Sequence, residues 1–258
     1  VTHRTNNLLQ VLLHVSTAYS NAELFSVEER VYPPPVEPTH LLNLVDALPN
    51  HILDRITPEY IKPKFNTYTF TKAVAETLVA THPSPRYSVA IFRPSIVVSS
   101  WREPFPGWAV GASGPALHAK AIAAGVLQVI HGRGAMHTHL LPVDVAADAM
   151  IVAAWDTGID RSPEVRVYNA CSQDNPISWT QFRRHILCAA RNAPSPRTIA
   201  YPQVLLIPNR YAFLALEFLA QTLPLCLAHF LCWVFGVKIR VNLVQLSARL
   251  RAINRAYA

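Results

Sequence analysis

Short apolar runs alternate with segments of helical periodicity along the first two hundred residues. Residues 8–15 (LLQVLLHV) and 88–93 (SVAIFR) are nearly continuous apolar runs, the pattern of strands buried in a parallel sheet. Between them, residues 67–79 place three large apolar side chains in one stripe, which predicts a helix. Strands that alternate with helices predict β–α–β crossovers and a parallel sheet.

The same pattern continues on both sides of these segments. Asp144 is a candidate N-cap residue for one of the predicted helices. The further predicted helices are residues 41–48, 52–55, 116–126, 145–155 and 179–191, and the further predicted strands are residues 136–141 and 165–169.

The composition changes after Tyr201. Residues 212–236 are nearly uncharged and long enough to span a bilayer, although Glu217, Gln221 and His229 disfavour a simple anchor. Two alternatives stay open: a membrane-spanning helix, or a packed or interfacial helical hairpin hinged at Pro224. The predicted domains are residues 1–200 and an apolar helical segment, residues 201–258.

Composition and charge narrow the class of protein. With 51% apolar and 15% charged residues, the chain is too apolar to be disordered and favours association with lipid. The net charge is +7, and the densest basic run (Lys238, Arg240, Arg249, Arg251, Arg255) directly follows the apolar segment. This predicts an anionic membrane surface as partner and no nucleic acid. The four cysteines form no C-x-x-C pair, which favours free thiols in a reducing compartment.

The strongest chemical signal is the spacing Tyr68-x-x-x-Lys72. Residues four apart share a helix face, so the ammonium lies near the phenol and favours its phenolate form during proton exchange. Nine tyrosines and five lysines predict about 0.2 such pairs by chance, and the chain has two. In the second pair, Tyr60 and Lys64, Pro63 would break a helix.

A hydroxyl at a neighbouring strand end would complete an acid–base group that polarises a carbonyl. Ser16 and Thr17 follow the first apolar strand and offer that hydroxyl. The alternative is that they only cap the following turn. Arg93 is expected to form a structural ion pair, and no metal site is predicted, since His137 and His139 have no third ligand nearby in sequence.

Five strings in one order resemble the male-sterility-type fatty acyl-CoA reductases, members of the extended short-chain dehydrogenase/reductase class. The resemblance extends over roughly residues 12–179, and the rest of the chain is weakly similar to the start of that family's C-terminal helical domain. The strings are HVSTAYSN (14–21), YTFTKAVAE (68–76), RPSIV (93–97), EPFPGW (103–108) and LPVD (141–144).

The resemblance implies NADPH-dependent reduction of a long-chain fatty acyl-CoA, through an aldehyde, to a primary alcohol. Tyr68 would donate the proton and Lys72 would hold the nicotinamide ribose, while Thr17 or Ser16 would bind the carbonyl oxygen. The cofactor-binding residues implied are Tyr68, Lys72, Pro94, Ser95, Ile96 and Val97. The implied location is intracellular and membrane-associated, on the cytosolic face of the peroxisome or the endoplasmic reticulum.

The sequence departs from that family in its phosphate-binding segment. The family opens with a glycine-rich turn at a helix N-terminus, which holds the pyrophosphate, and no such glycine pattern opens a helix in this sequence. Val110-Gly111 also stands where the family has an Asp-Asn pair. The prediction is therefore an α/β protein with an incomplete Rossmann-like parallel sheet and an appended helical C-terminal segment, N-terminally truncated.

Three functions follow as alternatives. The first is the acyl-CoA reductase, with this chain alone expected to be inactive and to bind no NADPH measurably. The second is an extended short-chain reductase acting on another substrate, a sugar nucleotide or a steroid, which the apolar C-terminal segment disfavours. The third is a catalytically inactive membrane-associated remnant.

Overall fold

The computed structural model describes residues 10–81, 87–111, 114–196 and 198–235, and it confirms an α/β protein with parallel strand pairs and a C-terminal helix. The elements in chain order are β1 (Val11–Val15), α1 (Pro38–Ala47), α2 (Asn50–Tyr60), α3 (Thr67–Thr81), β2 (Ser88–Pro94), β3 (Ile96–Val98), α4 (Gly114–Ala123), β4 (Val129–His131), β5 (His137–Thr138), β6 (Leu140–Pro142), α5 (Val143–Asp160), β7 (Arg166–Ala170), β8 (Ile177–Ser178), α6 (Trp179–Asn192), β9 (Leu205–Ile207) and α7 (Arg210–Val234).

Contacts divide the chain into two compact units: residues 1–109 with 139–174, and residues 110–138 with 175–258. We call them the first and the second unit. They interleave along the sequence because residues 110–138 leave the first unit and join the second. The predicted boundary after residue 200 separates a reductase domain from the start of another domain. It is a different division from these two compact units, and it stays a prediction.

The first unit is built on a parallel sheet in the order β1-β2-β7. The central strand is the most buried, since Ala90, Ile91 and Phe92 are at most 2% exposed. Its nearly continuous apolar sequence suits a strand covered on both faces. Parallel pairing brings the carboxyl ends of β1 and β2 to the same edge of the sheet, which positions the candidate site.

Several predicted elements are confirmed, with shifted ends. The predicted strand 88–93 is β2 and the predicted helix 67–79 is α3; residues 8 and 9 of the first predicted strand lie outside the described residues. The predicted strand 136–141 is wrong as one element. It consists of β5, antiparallel to β8, and β6, parallel to β3, because the chain changes sheets at His139.

Asp144 is not the N-cap of α5. The helix begins at Val143, with Pro142 at the cap position. The Asp144 carboxylate accepts hydrogen bonds from the backbone N–H groups of Trp101, Arg102 and Glu103 at 2.9, 2.8 and 3.1 Å. Its short polar side chain therefore binds the backbone of a neighbouring loop.

The second unit contains its own apolar core and a parallel pair, β4 with β9. Ala121, Ile122, Leu127 and Val204 form that core. Helix α6 begins with a capping box between Ser178 and Gln181, in which each side chain binds the other residue's backbone N–H.

Within the apolar C-terminal segment, residues Arg210–Val234 form one helix. The hairpin hinged at Pro224 is wrong, because α7 continues from Arg210 to Val234 through a π-helical turn at Phe218–Thr222. Pro224 lies in the first turn of the α-helical part that follows this turn, where a missing backbone N–H costs least.

Candidate active site

The ends of β1 and β2 stay paired beyond the strands themselves. The backbone N–H of Ser16 donates to the carbonyl of Phe92 at 2.7 Å, and that of Ala18 donates to the carbonyl of Pro94 at 2.9 Å. These bonds bring Ser16 and Thr17 to the sheet edge where Pro94 and Ser95 also lie. Such an edge is where ligands bind in open parallel sheets.

Helix α3 brings Lys72 to this edge. Phe70 and Val74 are buried and hold one face of the helix against the protein. Lys72 Nζ donates to the carbonyl of Val15, the last residue of β1, at 2.9 Å and lies 6.0 Å from the centre of the Tyr68 ring. Tyr68 itself is 54% exposed. Tyr68 and Lys72 thus lie on one helix, as predicted, and the Lys72 ammonium contacts the end of β1.

Ser16 and Thr17 differ in their partners, although both are buried. Ser16 Oγ donates to Glu76 Oε1 at 2.5 Å. Thr17 Oγ1 accepts from the backbone N–H of Tyr19 at 3.3 Å, which leaves its proton for another acceptor. Thr17 therefore does cap the following turn, as the alternative predicted, and it keeps its hydroxyl proton. Ser16 has already donated its hydroxyl proton to Glu76.

Arg93 forms the expected structural ion pair. Its guanidinium binds Glu76 through Nε at 3.0 Å and Nη2 at 2.6 Å, and it also donates to the carbonyls of Glu28 and Arg30. Both charged side chains are at most 2% exposed.

The residues after β2 differ in environment. Pro94 and Ser95 are buried, and the Ser95 backbone N–H donates to Ala170 at 2.9 Å. The Ser95 hydroxyl has no hydrogen-bond partner among the described residues. Ile96, in β3, pairs with Leu140 of β6, and Val97 is 42% exposed. Within the part of the chain that the structure describes, no hydrogen bond joins these four residues to Tyr68 or Lys72.

Two polar residues of this region went unrecognised in the sequence. Glu76 lies four residues after Lys72, so the spacing Tyr68-Lys72-Glu76 was a usable signal. Lys64 is buried beyond the end of α2, and its ammonium binds Ser20 and Asn21 in the segment after Thr17. The second Tyr-x-x-x-Lys spacing, Tyr60 and Lys64, is therefore not a helical pair. This agrees with the prediction that Pro63 would break a helix there.

Burial sets the protonation of two further groups near the edge. Burial lowers the pKa of His14, and the positive charge of Lys72 lowers it further against the opposing effect of Glu76. Burial also raises the pKa of Tyr19, with a smaller contribution from Cys171. Both groups are thus neutral near pH 7. Among the described residues, no three His, Cys, Asp or Glu side chains are grouped so as to hold a metal ion.

The parallel sheet and the helix of Tyr68 and Lys72 beside it define an α/β protein. The NAD-binding family described as "Male sterility protein" matches residues 3–150, more than half of the chain. The chain belongs to this family.

Curated relatives carry the name fatty acyl-CoA reductase. The chain is 37% identical over 206 residues to "Fatty acyl-CoA reductase 1" of Xenopus laevis, with 80% of this chain and 40% of the relative covered. It is 36% identical to the Homo sapiens protein of that name with the same coverage. Identity to "Fatty acyl-CoA reductase wat" of Drosophila melanogaster is 32%, with 90% of this chain and 45% of the relative covered. The chain thus spans less than half the length of these relatives.

Solved structures resemble the backbone at low sequence identity. "MoeE5 in complex with UDP-glucose and NAD" has 13% identity and a TM-score of 0.44, covering 96% of this chain and 66% of that one. "X-ray structure of Pal from Bacillus thuringiensis" has 18% identity and a TM-score of 0.42, covering 78% and 55%.

Proposed function

We propose that this chain carries the catalytic groups of an NADPH-dependent fatty acyl-CoA reductase. In the first step a hydride adds to the thioester carbonyl, the carbon–sulfur bond breaks, one proton is taken up so that CoA leaves as the thiol, and an aldehyde forms. In the second step another hydride and a proton convert the aldehyde to a primary alcohol. The observation that carries this proposal is the hydrogen bond from Lys72 Nζ to the carbonyl of Val15, directly before Ser16 and Thr17.

The residues at the sheet edge fit a nicotinamide cofactor. The buried Ser95 hydroxyl, without a partner among the described residues, offers a hydrogen-bonding group to a polar ligand. Lys72 would hold the nicotinamide ribose, and Tyr68, Pro94, Ser95, Ile96 and Val97 would border the ring. When bound, NADPH supplies the hydride, and the protein supplies position and electrostatics.

Tyr68 donates the proton in this mechanism. Its exposed phenol is accessible to a substrate, and its proton goes to the carbonyl oxygen as negative charge develops there. The Lys72 ammonium, 6.0 Å from the ring, stabilises the phenolate that remains.

Thr17 is the better of the two candidate hydroxyls. A group that stabilises the carbonyl oxygen must have a proton to donate. The Ser16 proton is donated to Glu76, whereas the bond of Thr17 to Tyr19 uses only its acceptor capacity. We therefore assign Thr17 to the carbonyl oxygen and Ser16 to support of the strand end.

Helix α7 is the proposed membrane contact, lying on the bilayer and not spanning it. Buried Gln221 accepts a hydrogen bond from the backbone of Gln128, and buried Glu217 accepts one from Thr222. The bond between Gln128 and Gln221 joins the polar side of the helix to the rest of its unit, whereas the bond between Thr222 and Glu217 lies within the helix. Most of its large apolar residues are exposed, although Phe213 is buried, and this exposed face suits insertion into one leaflet. The intracellular location on the cytosolic face of the peroxisome or endoplasmic reticulum belongs to the same proposal.

The test compares substrates and products in the protein expressed from its complete gene. We expect NADPH oxidation with palmitoyl-CoA, one CoA thiol released per acyl group, and hexadecanol among the products. Oxidation with UDP-sugars and none with palmitoyl-CoA would support the alternative reductase.

A fluorescence titration of the 258-residue chain with NADPH addresses the inactive remnant. The sequence lacks a glycine-rich phosphate loop, so we expect no measurable binding by this chain alone. Micromolar binding would contradict the remnant, and absence of NADPH oxidation by the protein from the complete gene would contradict the reductase.

A further inference from the structure

Glu76 is a buried charged group that contacts both strands at the first unit's sheet edge. It lies on α3 one turn after Lys72 and two turns after Tyr68, yet it is only 2% exposed. Its carboxylate accepts hydrogen bonds from Ser16 Oγ and from two nitrogen atoms of Arg93. The guanidinium and the hydroxyl thus supply the partners that a buried carboxyl group requires.

Two successive turns of α3 bind two successive residues of the strand end. Lys72 Nζ donates to the carbonyl of Val15, and Glu76 accepts from the hydroxyl of Ser16. The two bonds run in opposite directions, one from helix to strand and one from strand to helix. Together they fix both the translation and the rotation of the helix against β1.

The same carboxylate connects this strand end to β2. Arg93 belongs to β2, and its guanidinium also binds the carbonyls of Glu28 and Arg30. A buried ion pair of this kind adds little net stability. Removal of one partner is nevertheless strongly destabilising, because the other charge is then buried without a partner.

We propose that Glu76 is a positioning residue of the active site, which acts through Ser16 to hold the end of β1 where Lys72 can bind Val15. The inference depends on the proposed function only in calling this sheet edge an active site. The placement of Lys72 itself is measurable without substrate or cofactor.

The experiment measures how fast each lysine reacts with a small excess of acetic anhydride, by mass spectrometry of peptides from the folded chain. Removing the Ser16 hydroxyl with Ser16→Ala leaves the Glu76–Arg93 pair intact but frees the strand end. We expect labelling of Lys72 to rise about threefold or more, because its bond to Val15 opens more often. Lys120, in the second unit, should be unchanged in the same digest.

Three further variants separate positioning from general stability. Ser16→Thr keeps a hydroxyl and should restore the slow labelling of Lys72, whereas Glu76→Gln should raise it at least as much as Ser16→Ala. Glu217→Gln is the matched control: it removes another buried carboxylate, bonded to Thr222, and should leave Lys72 unchanged.

Unchanged Lys72 labelling in folded Ser16→Ala would overturn the proposal, as would an equal rise in Glu217→Gln. If Glu76→Gln does not melt cooperatively, the Ser16→Ala and Ser16→Thr pair still decides. A failed reductase assay would not alter these results, so the two proposals can fail separately. In the protein from the complete gene, positioning also predicts a lower kcat with little change in KM for Ser16→Ala.

Discussion

Ser16 and Thr17 are sequence neighbours with different surroundings. Successive residues point in different directions as the chain leaves β1, so the hydroxyl of Ser16 meets Glu76 while that of Thr17 accepts from the backbone of Tyr19. The sequence placed both hydroxyls at the strand end but could not distinguish them. The partner that distinguishes them, Glu76, is 60 residues away along the chain.

Substitution of Thr17 tests this distinction. Thr17→Val keeps the shape of the side chain and removes the hydroxyl, so we expect kcat for palmitoyl-CoA reduction to fall about 100-fold through loss of one donor to the developing oxyanion. The measurement is steady-state NADPH oxidation by the protein from the complete gene. Ser16→Ala should cost markedly less, and the reverse order of the two losses would transfer the role to Ser16.

At the level of elements, local patterns predicted most of the first unit's sheet. The apolar runs of β1 and β2 and the stripe of α3 are signals that lie within the elements themselves. Short strands were missed, among them β3 and β9, because three residues carry too little periodicity. The helix α7 was misjudged at Pro224 because the π-helical turn before it has no comparable local signature.

Asp144 joins the start of α5 to the loop of residues 101–103, and this link depends on pH. Hydrogen bonds from the backbone of Trp101, Arg102, Glu103 and Val145 lower the pKa of the Asp144 carboxyl below the ordinary 3.8. A lowered folded-state pKa contributes stability above the unfolded value, and that contribution is lost as the pH falls through the folded value.

We therefore expect Asp144→Asn to lower the Tm at pH 7 and the difference from the unmodified protein to shrink as the pH falls below about 4. The measurement is thermal melting followed by circular dichroism across that range. Asp148→Asn, an exposed residue one turn later without a hydrogen-bond partner among the described residues, is the control and should melt like the unmodified protein. An Asp144→Asn effect of the same size at all pH values would show that its carboxylate charge is irrelevant.

Most large apolar side chains of helix α7 are exposed, and their contact with lipid can be tested on one of them. Phe230 is 55% exposed. Phe230→Asp should reduce the vesicle-bound fraction of the chain about tenfold or more in a liposome flotation assay, since one buried aromatic ring contributes about 1.5–3 kcal/mol. Phe25→Asp makes the same change at a fully exposed position outside the helix and should leave flotation unchanged. Equal losses in both variants would mean that α7 is not the contact.

At the scale of the whole molecule, charge adds to this apolar contact. The net charge is +7, and basic residues follow α7 in the sequence. Attraction between such residues and anionic lipid is screened over about 8–10 Å at ordinary ionic strength.

Vesicles of different composition separate the two contributions. We expect tighter binding to vesicles that contain phosphatidylserine than to vesicles of pure phosphatidylcholine. At 0.5 M salt this difference should disappear. The apolar binding that remains should lie within about a factor of two of the value for phosphatidylcholine. The measurement is co-sedimentation at graded salt. Binding that is independent of both lipid charge and salt would contradict an electrostatic contribution.

The two Tyr-x-x-x-Lys spacings of this chain provide the most direct test of its proposed chemistry. Only Tyr68 shares a helix with its lysine, whereas Tyr60 ends α2 four residues before Lys64. In the protein from the complete gene, Tyr68→Phe should reduce kcat for NADPH oxidation with palmitoyl-CoA by about 100-fold or more, and Tyr60→Phe should retain the activity of the unmodified protein. Full activity in Tyr68→Phe would contradict the account.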